Sequence, residues 1–145
     1  MMNVAYTIGR IFLPVIFIVA GVQKILNVQA IATMLADKGV PIPDEITPYL
    51  AYLGNVPKYN LLGYLIGALE VICGLMILIG FKARWAALVL IVFAACSIFF
   101  VHHFWDMEGI AFAENQEKAL LQLSIIGGLL LLVAGTPGPG GMDRR

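Results

Sequence analysis

Charge is what this chain has least of: 12% of its 145 residues are Asp, Glu, Lys or Arg, and they cancel to a formal net charge of zero. With no dense basic tract either, nothing points to nucleic acid as a partner. Cysteine is scarce as well. Cys73 and Cys96 are the full complement, and both fall inside long apolar runs. That placement excludes a secreted-type disulfide framework and leaves them as small packing residues. His102 and His103 are the only histidines. Being adjacent, they face different sides of a helix, and with the cysteines deep and far apart no metal site is expected. Ten-residue segments of alternating polarity are also missing, which excludes a membrane β-barrel.

What the chain does have is apolar length. It is 61% hydrophobic with a mean hydropathy of +0.92, the composition of a membrane protein. Four stretches, about 4–24, 60–80, 84–104 and 118–135, reach the roughly 20 residues that a helix needs to cross about 30 Å of hydrocarbon. The predicted fold is therefore all-α, a single domain over 1–145 built as a bundle of four transmembrane helices, with the lipid bilayer as its first partner. The opening "MMNVAYTIGR" lacks the charged leader of a signal peptide, and no A-x-A site follows the apolar run. The first span is accordingly expected to be a retained membrane helix.

The connections are unequal. "FKAR" leaves about three residues between the second and third spans, so those helices must be antiparallel neighbours. About 35 residues separate the first two spans, too many for a bare connection. Within them Val28, Ile31 and Leu35 recur at helical spacing, and Gly39 is a candidate cap. "VPIP" is an extended linker, and Asp44 can open a second short helix that runs through Tyr49 to Leu53. This segment reads either as a lid or as an interfacial spacer.

Four spans put the N-terminus, the "FKAR" turn and the C-terminus on one side, with Arg10, Lys82, Arg84, Arg144 and Arg145 against Asp143. The other side carries Lys24, Lys38, Lys58 and Lys118 among the acids Asp37, Asp44, Glu45, Asp106, Glu108, Glu114 and Glu117. The tight, acid-free turn carries most of the positive-inside argument and predicts cytoplasmic termini in a multi-pass bacterial inner-membrane protein.

One polar residue stands in the middle of a span. Glu70 lies in "GYLIGALEVICGLMILIG", where a charge costs about 2.5 to 3.5 kcal/mol on insertion scales and each Leu or Ile returns about 0.3 to 0.6. The span can insert, but the acid must be met by a partner, by water or by protonation. Gly63, Gly67 and Gly74 share its face, a stripe that lets another helix approach, so Glu70 is predicted to point into the bundle. Measured from "FKAR" at about 1.5 Å per residue, Glu70 lies roughly 18 Å deep, Arg10 about 10 Å, and Lys24, His102 and Lys118 about 25 to 30 Å. Arg10, Lys24 and Lys118 are either partners of the acid or snorkelling anchors. Pro14 removes the helical donor from the Arg10 carbonyl and can bend the first span there. His102 at the outer mouth can exchange protons near neutral pH, while Phe104 and Trp105 read as an interfacial aromatic belt.

These marks, taken in order, carry a resemblance. "RIFLPVIFIVAGVQKI" resembles the first helix of the DoxX family of bacterial membrane proteins, and "GVP", "LEVICGLMILIGF", H-x-F-W and "GGLLLLVAGTPGPGGMD" are similar to its later signatures. The resemblance implies a four-helix membrane bundle and singles out Arg10, Lys24, Glu70 and His102 as the family's polar positions. Where the family carries Lys-Asn in its fourth span, this chain has Leu121 and Gln122, with Lys118 one turn earlier as a substitute lysine. Members resemble the small subunit of a thiosulfate:quinone oxidoreductase, and others are associated with quinone or oxidative stress.

Two functional classes follow. In the first, an isoprenoid quinone enters between the helices, Glu70 and His102 exchange protons, and Arg10, Lys24 or Lys118 steadies the developing charge. No flavin, haem or iron-sulfur motif is visible, so electrons would come from a redox partner protein or from bound substrate. In the second, the chain is a non-catalytic subunit that organises a partner enzyme or a homo-oligomer, with the buried charges as a specificity device. A proton-coupled or solute transporter is a third reading, disfavoured by the absence of an evident repeat.

Overall fold

Helix α1 (Val4–Leu26) is made of residues that lose little by being helical in an apolar setting. At about 1.5 Å per residue its length suffices to span hydrocarbon. Its faces Ile8, Phe12, Ile16 and Val19 point outward and are exposed, as a lipid-facing surface requires. The computed structural model describes residues 4–135; Asp143, Arg144 and Arg145, which enter the orientation argument, and the second half of the last family signature, from residue 136, lie outside the described residues.

Asn27 interrupts the chain, and α2 (Val28–Asp37) continues in a new direction. Gly39, in the left-handed region at φ +64°, closes α2: its N–H donates to Ala36 and that of Val40 reaches back to Leu35, a Schellman motif. After the "VPIP" linker, a 3₁₀ turn (Asp44–Ile46) leads into the short helix α3 (Thr47–Tyr52). The strap is tied to the start of α4 (Lys58–Ile79) by Asn60 donating to Gln29 at 3.0 Å and Tyr59 donating to the Val40 carbonyl at 3.3 Å. Val28 and Ile31 of α2 pack closely on Gly63, where an added Cβ would lie 3.0 Å from the Val28 Cγ2 methyl.

Gly80 ends α4 in the left-handed conformation, φ +81°, and α5 (Ala83–Phe100) runs back antiparallel. A 3₁₀ turn (Phe104–Asp106) connects it to α6 (Gly109–Gly135). The fold is thus all-α, with four membrane-length helices α1, α4, α5 and α6 and short helices between the first two. The sequence places the last span from about 118; the helix begins nine residues earlier at Gly109, because the polar turns from Glu114 to Lys118 remain helical beyond the apolar stretch.

α1 packs most extensively on α4, α4 on α5, and α5 on α6, while α6 returns to α1 where Leu13 covers Gly128 and Tyr6 covers Gly135. The dry core forms around Phe17, Ile77, Leu90, Leu129 and Leu132, with Ala83, Ala86 and Ala87 letting α5 sit close. The tightest seam is α1–α4. A Cβ added to Gly21 would lie 2.6 Å from the Gly67 carbonyl oxygen, and one added to Gly67 would lie 2.8 Å from the Gly21 carbonyl oxygen. Backbone faces backbone here, and nothing flexible can give way.

Gly21→Ala should therefore destabilise the bundle by about 1 to 3 kcal/mol, the cost of overpacking. Gly127→Ala, which meets nothing within 4 Å, should be neutral or stabilising by up to about 1 kcal/mol, since alanine is the better helix former. Unfolding in mixed detergent micelles checks both; equal losses would show that the seam is not close-packed.

Candidate functional site

The close seam sets the position of two charges. Gly21 precedes Lys24 by three residues and Gly67 precedes Glu70 by three, so on each helix the small residue and the charge share a face. The two helices run antiparallel, so Lys24 and Glu70 lie on opposite sides of the backbone contact along the axis, and the long Lys24 side chain reaches back past it: Lys24 Nζ donates to both carboxylate oxygens of Glu70, at 2.7 and 2.9 Å. Glu70 is 3% exposed, while Lys24 is half-buried with its ammonium toward the cavity end. A buried carboxylate without a partner costs several kcal/mol, and a two-oxygen contact with an ammonium offsets much of that. Of the three outcomes open to the acid, a partner, water or protonation, the structure shows a partner.

A second polar pair joins α5 to α6. The α5 helix closes with Val101 and His102 both donating their backbone N–H to the Ser97 carbonyl, which swings the His102 ring toward α6. There Asn115 Nδ2 donates to the Ala111 carbonyl at 2.9 Å, so its Oδ1 is the atom that meets His102 Nδ1 at 3.2 Å. An amide oxygen only accepts. His102 Nδ1 must then carry the proton, leaving Nε2 as the ring's acceptor in the neutral form. One level deeper, Gln122 Nε2 donates to Ser97 Oγ at 3.1 Å, and the buried Gln122 Oε1 has no partner among the described residues.

Both pairs line one cavity of about 480 Å³, in the half of the bundle away from the α4–α5 turn. Its walls are apolar, with Leu62 and Ile66 of α4, Phe93 and Phe100 of α5, and Ile31, Met34 and Leu35 of α2 over it. Lys24, Glu70, His102 and Lys118, four of the five candidate residues, line it together with Lys38, Cys96, Ser97, Asn115 and Gln122.

Arg10 is the exception. Its guanidinium lies against Gly80, where an added Cβ would sit 2.9 Å from Nη2, at the opposite end of the bundle. The long side chain reaches toward the turn, and the C-terminus of α4 is a favourable place for a cation because its last carbonyls are unpaired. It does not bend inward to Glu70 as the Pro14 argument allowed. The α2 strap, open in sequence between lid and spacer, contributes cavity wall.

Sequence reasoning passed over Lys38, Ser97 and Asn115, and treated Gln122 only as a departure from a pattern. A signal existed. Asn115, Lys118 and Gln122 are spaced i, i+3, i+7, a polar stripe along one face of a membrane-length helix.

A family model for DoxX matches residues 5–103. The chain belongs to the DoxX family. The match takes in Arg10, Lys24, Glu70 and His102, whereas the α6 residues of the cavity fall beyond it. The chain is also similar to inner membrane protein YphA of Escherichia coli (strain K12), 29% identical over 138 residues that cover 95% of this chain and 87% of that protein. No solved structure matches at a significant level. With its four apolar helices, this DoxX-family chain is a multi-pass protein of the bacterial inner membrane.

The tautomer is open to direct test. In ¹⁵N-histidine-labelled protein, at a pH where the ring is neutral, His102 should show a protonated Nδ1 and an unprotonated Nε2. Asn115→Leu should shift the proton toward Nε2. A neutral wild-type ring already protonated at Nε2 would mean that Asn115 does not orient it.

Proposed function

We propose that this DoxX-family protein is a quinone-linked redox protein, or the membrane subunit of an oxidoreductase, with the cavity as the site of an isoprenoid quinone headgroup. The observation that carries this reading is the meeting of the Lys24–Glu70 pair and the oriented His102 in one cavity with otherwise aromatic and aliphatic walls.

The residues fit such a group. A quinone headgroup is a flat, largely apolar ring with carbonyl oxygens that need donors. Phe93, Phe100, Leu62 and Ile66 offer apolar walls, and Lys24 Nζ and the Lys118 ammonium offer donors at the polar side. When bound, a quinone supplies two-electron, two-proton redox chemistry. The chain's part is to handle protons and charge. His102 Nε2 accepts or returns a proton at the cavity, and Glu70 holds one at its carboxyl oxygens once a bound group competes for Lys24. Lys24 Nζ stabilises negative charge as it develops on a bound oxygen. Electrons come from a redox partner protein or from a bound substrate, since no electron-carrying motif is visible in the chain. With both termini cytoplasmic, as the positive-inside argument has it, the cavity belongs to the extracytoplasmic half of the membrane.

Solvent extraction of the detergent-purified protein, with quinone quantified per chain by mass spectrometry, tests the reading. The wild type should carry near-stoichiometric quinone, and Glu70→Gln, which keeps the shape and loses the charge, should carry several-fold less. Background quinone in both would favour a non-catalytic subunit that organises a partner enzyme.

A further inference from the structure

The half of the bundle that holds the cavity is rich in surface acids, and none of the seven lines it. Asp37, Asp44, Glu45, Asp106, Glu108, Glu114 and Glu117 are exposed. Of the lysines at that end, Lys58 reaches outward to Asp44 at 3.4 Å, but Lys24, Lys38 and Lys118 line the cavity. They come from three different elements, the end of α1, the cap of α2 and the third turn of α6. Among the described residues lining the cavity, Glu70 is the one carboxylate, and Lys24 already holds it. Lys38 and Lys118 have no ion-pair partner among the described residues, although Asp37 adjoins the first in sequence and Glu117 the second. Three ammoniums against one carboxylate leave a formal excess of two positive charges around a cavity whose walls are otherwise apolar.

Such an arrangement is costly when empty and selective when filled. Lys38 is half-buried and Lys118 exposed, so the excess lies at the cavity mouth, where like charges repel one another and the low-dielectric walls strengthen the field. A neutral hydrophobe would cover the walls and leave the lysines uncompensated. A small, fully hydrated inorganic anion would meet the lysines and leave the Leu62, Ile66, Phe93 and Phe100 walls unused. A ligand matched to both has one anionic group and an apolar body.

We propose that the cavity binds an anionic amphiphile, with its charged group held between Lys38 and Lys118 and its hydrocarbon part against the α4 and α5 walls toward the Lys24–Glu70 pair. Two sources share that chemistry: an anionic phospholipid of the surrounding bilayer, or a free hydrophobic acid that enters from the aqueous side. The proposal stands apart from the quinone reading, because it follows from the placement of charge and is tested without quinone present.

The test uses the full chain in nanodiscs of phosphatidylcholine free of quinone, with radiolabelled decanoate as probe, decanol as its neutral match, and empty discs as blank. Decanoate should bind saturably at one per chain, while decanol should show only partition into the disc. The double variant Lys38→Gln/Lys118→Gln should weaken decanoate binding at least about tenfold. The corresponding double arginine variant should retain it, and Lys58→Gln, which alters the outward pair, should leave it unchanged. Neither Lys38 nor Lys118 is tied to a neighbour in the fold, so the variants should unfold at the wild-type temperature. Decanol binding as well as decanoate, or the double glutamine variant binding like the wild type, would overturn the proposal. The source is read by replacing part of the disc lipid with phosphatidylglycerol. Loss of decanoate binding, with phosphatidylglycerol retained on the wild type but not on the variant in native mass spectrometry, identifies the bilayer lipid. Unchanged decanoate binding identifies the free acid.

Discussion

The contact between Lys24 and Glu70 is the constraint on which the rest of the structure turns. A carboxylate well inside a membrane-length helix has three outcomes: water, protonation or a counter-charge. Here the counter-charge comes from the neighbouring helix and meets both oxygens. Each helix could be moved a turn without harm to its apolar outer face, since lipid accepts Leu, Ile and Val at any height. The ion pair does not tolerate that slip. Together with the glycines one turn away, it fixes both the register of α1 on α4 and the distance between them.

Much of the cavity follows from that register. With α1 held against one face of α4, α2 leaves the end of α1 and must cross the beginning of α4, where Gly63 accepts Val28 and Ile31. The crossing puts Met34, Leu35 and Lys38 over a space bounded on the far side by α5 and α6. Those helices are joined by hydrogen bonds between side chains, Ser97 with Gln122 and His102 with Asn115. The polar atoms therefore collect in one half of the bundle. The other half is closed by Ile77, Leu90, Leu129 and small alanines, and Arg10 sits at its end against the α4–α5 turn.

How much of this could be read from sequence depends on the kind of force involved. The four helices were legible because hydrocarbon thickness imposes a length that few soluble elements reach. Glu70 was legible as inward-facing because an acid and a stripe of glycine at helical spacing leave one consistent orientation. The identity of its partner was not. Lys24, Lys118 and Arg10 all stood within reach by depth, and choosing among them needs the azimuth of each helix, which hydropathy does not encode. Arg10 shows the same limit, since its side chain is long enough to reach either the acid or the turn. Asn115 and Ser97 were passed over for other reasons: Asn115 falls before the last apolar stretch, where only its spacing with Lys118 and Gln122 marks a face, and a single serine such as Ser97 barely alters the hydropathy of its span. The start of α6 was placed too late because the helix persists as an amphipathic stretch beyond the apolar segment, where composition changes and backbone structure does not.

The central claim is that Lys24 and Glu70 act as one unit across the α1–α4 seam, and a double-mutant cycle tests it most directly. Unfolding free energies would be measured in mixed micelles for the wild type, Lys24→Met, Glu70→Gln and the double variant. The account predicts that Lys24→Met costs more than Glu70→Gln, because the first strands a buried acid whereas the second frees a lysine that can reach the bundle end. It also predicts a double variant less destabilised than the sum of the singles by about 1 to 3 kcal/mol. Additive losses, within about 0.5 kcal/mol, would mean that the two residues are neighbours without being coupled, and would contradict the account.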